Sequence, residues 1–218
     1  QSTLVYHPTT GLLVSRADPL GHGVSYSYNA LGLLVTATNS LGKTTVMTYD
    51  SAGNLATLKD PLDRTTVYSR DLAGNILSIL DAKNQTLSQE FDLSNRLTAV
   101  VSPKLERTEY RYLETGELRQ VKDPLNNLLT FEYNFLNQLT RSVDALGFAT
   151  TREYDGNGNV SKEIDPNGNI KIYEYNNMGR LKKKTLPDNV IELAYDTRGN
   201  LTEIKNQQAV LNFVYDVG

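Results

Sequence analysis

An internal period of 21 residues constrains this chain more than any other feature. His7, Tyr28, Tyr49, Arg70, Phe91, Tyr112, Tyr133, Tyr154 and Tyr175 recur at that step, followed by Tyr195 and Tyr215 after 20. Such regularity marks a stacked-repeat architecture and replaces the one or two globular domains that 218 residues would otherwise suggest. With the tyrosine position taken as column one, column two is mostly Asp or Asn, as in Asp50, Asp155 and Asp196. Column seven is aliphatic throughout, from Leu13 through Leu34, Leu55, Ile76, Leu97, Leu118, Leu139, Val160 and Leu181 to Leu201. Column five holds Gly11, Gly32, Gly53, Gly74, Gly116, Gly158, Gly179 and Gly199, with Asn95 and Asn137 in their place elsewhere. Gly and Asn accept a left-handed backbone at least cost, so this column is predicted to be a turn position with φ > 0.

Half a period later comes a second punctuation mark: DPLG from Asp18, DPLD from Asp60, SPKL from Ser102, DPLN from Asp123 and DPNG from Asp165. Six of the seven prolines stand in this one column. Asp followed by Pro suits a β-turn, because the carboxylate accepts from a backbone N–H ahead of it and the ring presets φ. Between the two turns lie segments rich in Val, Thr, Leu, Ile and Tyr, such as Thr44 to Tyr49, which read as strands of about 5 to 6 residues. Tyrosines two apart, Tyr26 with Tyr28 and Tyr173 with Tyr175, should project from one face and stack with column seven into ladders that serve as the core. Turns every ten or so residues leave no room for a helix of ordinary length. The fold class expected is therefore all-β: a continuous antiparallel meander of about 20 short strands, curved or spiral, forming one array over residues 1–218 with no separate catalytic domain.

Composition narrows the function classes. The formal net charge is −3 with Lys and Arg spread along the chain, whereas binding nucleic acid calls for a clustered basic face. No apolar run approaches the roughly 18 residues needed to span a bilayer, so no membrane insertion by this segment is expected. Without cysteine there is neither disulfide nor thiolate metal site. A sequence that opens on Gln1 without a signal-like segment, and stops within a repeat at Tyr215 and Asp216, suggests a piece of a longer polypeptide.

Candidate sites have bland readings beside them. Most aspartates recur in the two turn columns, where backbone capping accounts for them without general acid–base chemistry. His7 sits in the tyrosine column and His22 follows a turn glycine, with no set of metal ligands beside either. Asp155-Gly-Asn157-Gly-Asn159 and Asp165 with Asn167 and Asn169 resemble calcium loops but lack the closing glutamate. Gly156 and Gly158 open no phosphate-binding fingerprint, and Lys182, Lys183 and Lys184 read as a solvated strand end. No catalytic, cofactor or metal residue is assigned.

The units YDSAGNL (Tyr49 to Leu55), YNNMGRL (Tyr175 to Leu181) and YDTRGNL (Tyr195 to Leu201) resemble the Y-D-x-x-G-R-L signature of RHS or YD repeats, and about ten such units cover the chain. Bacterial polymorphic toxins, C components of insecticidal toxin complexes, wall-associated toxins and teneurin ectodomains carry them. The resemblance implies a β-strip wound into a hollow shell that, in the toxins, encloses a C-terminal effector, and a secreted or cell-surface location. Expected partners are the remaining shell repeats and that enclosed segment. Bacterial members end in a core whose extended D-P-x-G-L motif often cleaves itself. DPLG at Asp18 and DPNG at Asp165 lie in the ordinary turn column without its flanking sequence, so that catalysis is not carried over.

Some 20 strands at ~4.8 Å, closed into a ring, would span a diameter of roughly 30 to 40 Å, too narrow for even a ~100-residue toxin. A curved strip is expected instead, with free edges open to edge-to-edge self-association. The leading reading is a structural shell segment. The alternatives are a surface module that binds glycans or proteins through exposed aromatics, and an enzyme, which would need a cleft with perturbed titratable groups.

Overall fold

The computed structural model describes residues 2–215; Asp216, counted above in the final repeat, lies outside the described residues. Every described element is a strand, and the chain divides into two compact units, Gln1–Glu109 and Tyr110–Gly218. The first unit holds β1 (Thr3–Tyr6), β2 (Leu13–Ala17), β3 (Gly23–Tyr28), β4 (Leu34–Asn39), β5 (Thr44–Tyr49), β6 (Leu55–Lys59), β7 (Thr65–Arg70), β8 (Ile76–Leu80), β9 (Thr86–Phe91) and β10 (Leu97–Val101). Strand β11 (Arg107–Tyr112) runs through the boundary. The second unit continues with β12 (Leu118–Lys122), β13 (Leu128–Tyr133), β14 (Leu139–Val143), β15 (Ala149–Tyr154), β16 (Val160–Ile164), β17 (Ile170–Tyr175), β18 (Leu181–Thr185), β19 (Val190–Tyr195), β20 (Leu201–Lys205) and β21 (Val210–Asn212). Within each unit every strand pairs antiparallel with its neighbours in the chain, giving an open meander.

Both turns of a repeat share one geometry. After Tyr49, the Asp50 N–H donates to the Asn54 carbonyl at 2.9 Å and the Gly53 N–H to the Asp50 carbonyl at 3.1 Å. Asp50 Oδ1 then accepts from the N–H groups of Ala52 and Asn54, each at 2.9 Å. At the second turn Asp60 repeats the pattern, its Oδ1 accepting from Leu62 at 2.8 Å and Arg64 at 3.1 Å. This is a type I turn closed by a left-handed residue, a three-residue hairpin loop. Column five accordingly has positive φ, from 69° at Gly11 and 77° at Gly32 to 91° at Gly74, and 59° at Asn95 and Asn137. A second left-handed column, not singled out from the sequence, runs through Gly21, Gly42, Asp63, Asn84, Leu105, Asn126, Gly147 and Gly168.

Hairpins of the two kinds differ in depth. Those closed by the tyrosine-side turn pair over four or five positions and carry a bulge: Tyr28 faces Leu34 while Ser27 faces Thr36, which leaves Val35 as the extra residue. Hairpins closed by the second turn of the repeat pair over three positions, as in Thr36↔Val46, Ala37↔Thr45 and Thr38↔Thr44 across the Asn39–Gly42 turn.

The first repeat departs from the sequence reading. Tyr6, not His7, faces Leu13 and so takes the column-one place, because this turn is one residue longer. His7 moves to column two, where its Nδ1 accepts from the N–H groups of Thr9 and Thr10, both at 3.4 Å, in place of an Asx oxygen. With Tyr6 so placed, all thirteen tyrosines fall in the two tyrosine columns. The two 20-residue steps have a matching cause: the turns at Leu186–Asn189 and Asn206–Ala209 are each one residue shorter.

The tyrosine and aliphatic ladders do not form a sealed core. Ala99 alone is fully buried among the described residues, while Tyr49, Tyr133, Leu55 and Leu97 are half-buried. In each unit a strand touches only its chain neighbours, so no second layer covers either face, and a side chain is shielded only by those beside it.

Candidate functional site

Column one performs one repeated task. The hydroxyls of Tyr28, Tyr49, Tyr133, Tyr154, Tyr175, Tyr195 and Tyr215 donate to the column-seven carbonyl of the preceding repeat: Leu13, Leu34, Leu118, Leu139, Val160, Leu181 and Leu201, at 2.7 to 3.0 Å. Each bond closes the open end of the hairpin opposite the second turn of its repeat, as at β2–β3 and β4–β5. Burial, with Glu117 second, pushes the Tyr133 phenol up, and burial, with Asp155 and Tyr173 after it, does the same at Tyr175. Both therefore stay protonated donors at neutral pH. Tyr112 ends β11, half-buried in the same column.

The other predicted columns surround that clamp. Gly53, Gly116, Gly158, Gly179 and Gly199 take the left-handed place at φ 84°, 109°, 87°, 74° and 93°. At column six Asn75 Nδ2 reaches its own Asp71 at 2.9 Å and also Asn95 Oδ1 of the next turn at 2.9 Å. Arg180, whose column-two neighbour is Asn176 rather than Asp, lies instead with its guanidinium 5.6 Å from the Tyr195 ring, against Gly199. Tyr175, Met178, Arg180 and Tyr195 line a shallow hollow there.

The residues with bland readings are all engaged. Asp155 Oδ1 accepts from the Asn157 and Asn159 N–H groups at 2.9 Å, so the carboxylate caps its own turn. Asp165 caps its turn in the same way. His22 Nδ1 lies 3.0 Å from Asp18 Oδ2. Lys182 and Lys183 both approach Glu174, at 3.4 and 3.8 Å, and Lys184 lies 5.6 Å from the Tyr173 ring centre. Among the described residues no group of three or more His, Cys, Asp or Glu could hold a metal, and no helix is long and apolar enough to cross a membrane.

Two charge patterns were not read from the sequence. On the face away from the tyrosines the first unit carries hydroxyl pairs, Ser27–Thr36 at 2.6 Å, Thr48–Thr57 at 2.6 Å and Ser69–Ser78 at 2.7 Å. At equivalent places the second unit carries ion pairs, Arg141–Glu132 at 2.7 Å and Lys162–Glu153 at 2.8 Å. On the tyrosine face, Arg152 stands two residues before Tyr154 in a tyrosine column, and its Nε and Lys171 Nζ both lie 2.9 Å from Glu163. Lys171 first and Arg152 second hold the Glu163 carboxyl below its usual range. Cross-strand register could reveal these pairs only once the bulge was placed.

Comparison with known proteins agrees with this geometry. A family model for the teneurin YD-shell matches residues 42–218, and one for the RHS repeat matches residues 7–45. No curated protein matches. Among solved structures the chain is similar to the crystal structure of TcdB2-TccC3-TEV, with a TM-score of 0.70 and 16% identity over 91% of this chain and 12% of that one. It is similar also to the Photorhabdus luminescens Tc holotoxin pore carrying a TccC3 mutation, with a TM-score of 0.54 and 14% identity over 94% of this chain and 15% of that one. The chain thus spans a small part of either, and the likeness at such identity concerns the fold. Since the family match extends over most of the sequence, the chain belongs to the teneurin YD-shell family of RHS/YD-repeat proteins.

Proposed function

We propose that the chain is a stretch of a YD-repeat shell, one array over residues 1–218, that helps enclose a C-terminal toxin or effector segment of its parent polypeptide before delivery from the cell. The observation that carries this reading is the repetition of the site: one turn geometry recurs along the array, the same clamp is made by seven of its column-one tyrosines, and every shifted carboxylate among the described residues is shifted downward by its turn or a cation. A general acid poised near neutrality would need the opposite shift. The role is mechanical, not enzymatic, and its partners are further repeats and the enclosed segment. Protease treatment of the full-length parent tests this. The C-terminal segment should resist digestion while the repeats are intact and be cut once they are melted; equal digestion of the enclosed and the isolated segment would refute enclosure.

A second reading has one observation in its favour. Phe135 is 93% and Met178 70% exposed, the latter beside Tyr175 and Tyr195, a pattern suited to recognising a glycan or protein partner. Micromolar binding on a glycan array, lost with Phe135→Ala or Met178→Ala, would establish it.

A further inference from the structure

Two consecutive repeats lack the tyrosine clamp. Column one is Arg70 at the end of β7 and Phe91 at the end of β9, so neither presents a phenol to the carbonyl of Leu55 or Ile76. At β8–β9 the Asn75–Asn95 bond of 2.9 Å ties the adjoining turns together. At β6–β7 the replacement is poorer. Arg70 Nη1 donates to Gly74, within its own turn, at 3.2 Å, its charge reaches Asp50 of the preceding turn without a hydrogen bond, and Arg70 Nε is buried without a partner. The β6–β7 hairpin pairs over three positions, Thr57↔Val67, Leu58↔Thr66 and Lys59↔Thr65. The β4–β5 hairpin pairs over three positions as well, but Tyr49 closes its open end by donating to the Leu34 carbonyl at 2.7 Å.

We propose that the open end of β6–β7, where Arg70 stands in the clamp column, is a built-in seam, the first line along which the sheet of the first unit parts. A net hydrogen bond is missing there, and opening lets water reach the stranded Nε, so the closed form loses an advantage that its neighbours keep. In a linear array each strand is held by its two neighbours only, which makes a local deficit a local opening. The inference is independent of what the array encloses.

Hydrogen exchange on the whole chain, read by mass spectrometry, tests it. Amides at 55–57 and 67–70 should be less protected than those at 34–36 and 46–49 once intrinsic rates are removed. Arg70→Tyr should raise protection at the first pair of segments by roughly two- to tenfold, the worth of one hydrogen bond. Tyr49→Phe should lower protection at the second pair by a similar factor. Equal protection of the two hairpins overturns the proposal, as does an unchanged rate in either variant.

Discussion

An aspartate or asparagine side-chain oxygen can replace a peptide carbonyl, and most turns of this chain use one in that way. At Asp71, Asp123, Asp155, Asp165 and Asp196 the asparagine four residues on donates through its side chain and its backbone N–H, and holds the carboxyl below the usual carboxylate range. A depressed folded-state value means that the stabilisation is complete above the unfolded value of about 3.9 and fades as pH falls through the folded one. Thermal melts should therefore be flat from about pH 7 to 5 and fall steadily below about pH 4; an unchanged midpoint at pH 2 would remove the carboxylates from the account. The left-handed column gives two further tests. A Cβ at Gly74 meets nothing within 4 Å, so Gly74→Val probes backbone strain alone and should destabilise by about 1 to 3 kcal/mol in denaturant melts. Leu105 holds φ 65° while 84% exposed, and Leu105→Gly should stabilise by about 1 kcal/mol, the reverse of the usual outcome at a leucine.

Strands here are short and earn their place in pairs. A three-position hairpin with a free end is marginal, and where the tyrosine clamp is present it makes a closed cell bounded by a turn at one end and a phenol at the other. The aliphatic column contributes less than a sealed core would. Leu97, opposite Phe91 across a bulge, is half-buried, so Leu97→Ala should lower stability by about 1 to 2 kcal/mol, not the 2 to 5 of a core cavity. Equilibrium unfolding in urea distinguishes the two ranges. The positions of both turns, the strand intervals and the tyrosine face were legible, since each follows from residue types at fixed offsets. The bulge and the moved first repeat were not: His7 fits the 21-residue count, and only pairing with Leu13 shows Tyr6 in its place.

At the largest scale, a single-layer sheet such as each unit forms must leave its lateral edges and both faces in contact with something else. Strand β1 is exposed along its length, with Leu4 at 53%, Val5 at 46% and Tyr6 at 54%. An apolar edge with unpaired backbone groups templates further strands, so the chain should self-associate as concentration rises, and Leu4→Lys with Val5→Lys should suppress this on size-exclusion chromatography with light scattering. Failure of the pair to change the mass would show that β1 is not the sticking edge.

Besides the period, read from like residues 21 apart, what the sequence determined unaided is what depends on residues near one another in the chain: the two turns, the strand lengths and the all-β class. These are matters of φ, capping and alternation, and a neighbour within five residues settles each of them. The tertiary structure decided what depends on residues a repeat apart. The phenol-to-carbonyl clamp joins positions about fifteen apart through a bulge that shifts the register by one, and a shift of one exchanges the faces of a strand. Whether a side chain is core or half-covered likewise depends on how many layers the backbone builds, and no pattern of alternation within a strand records that number.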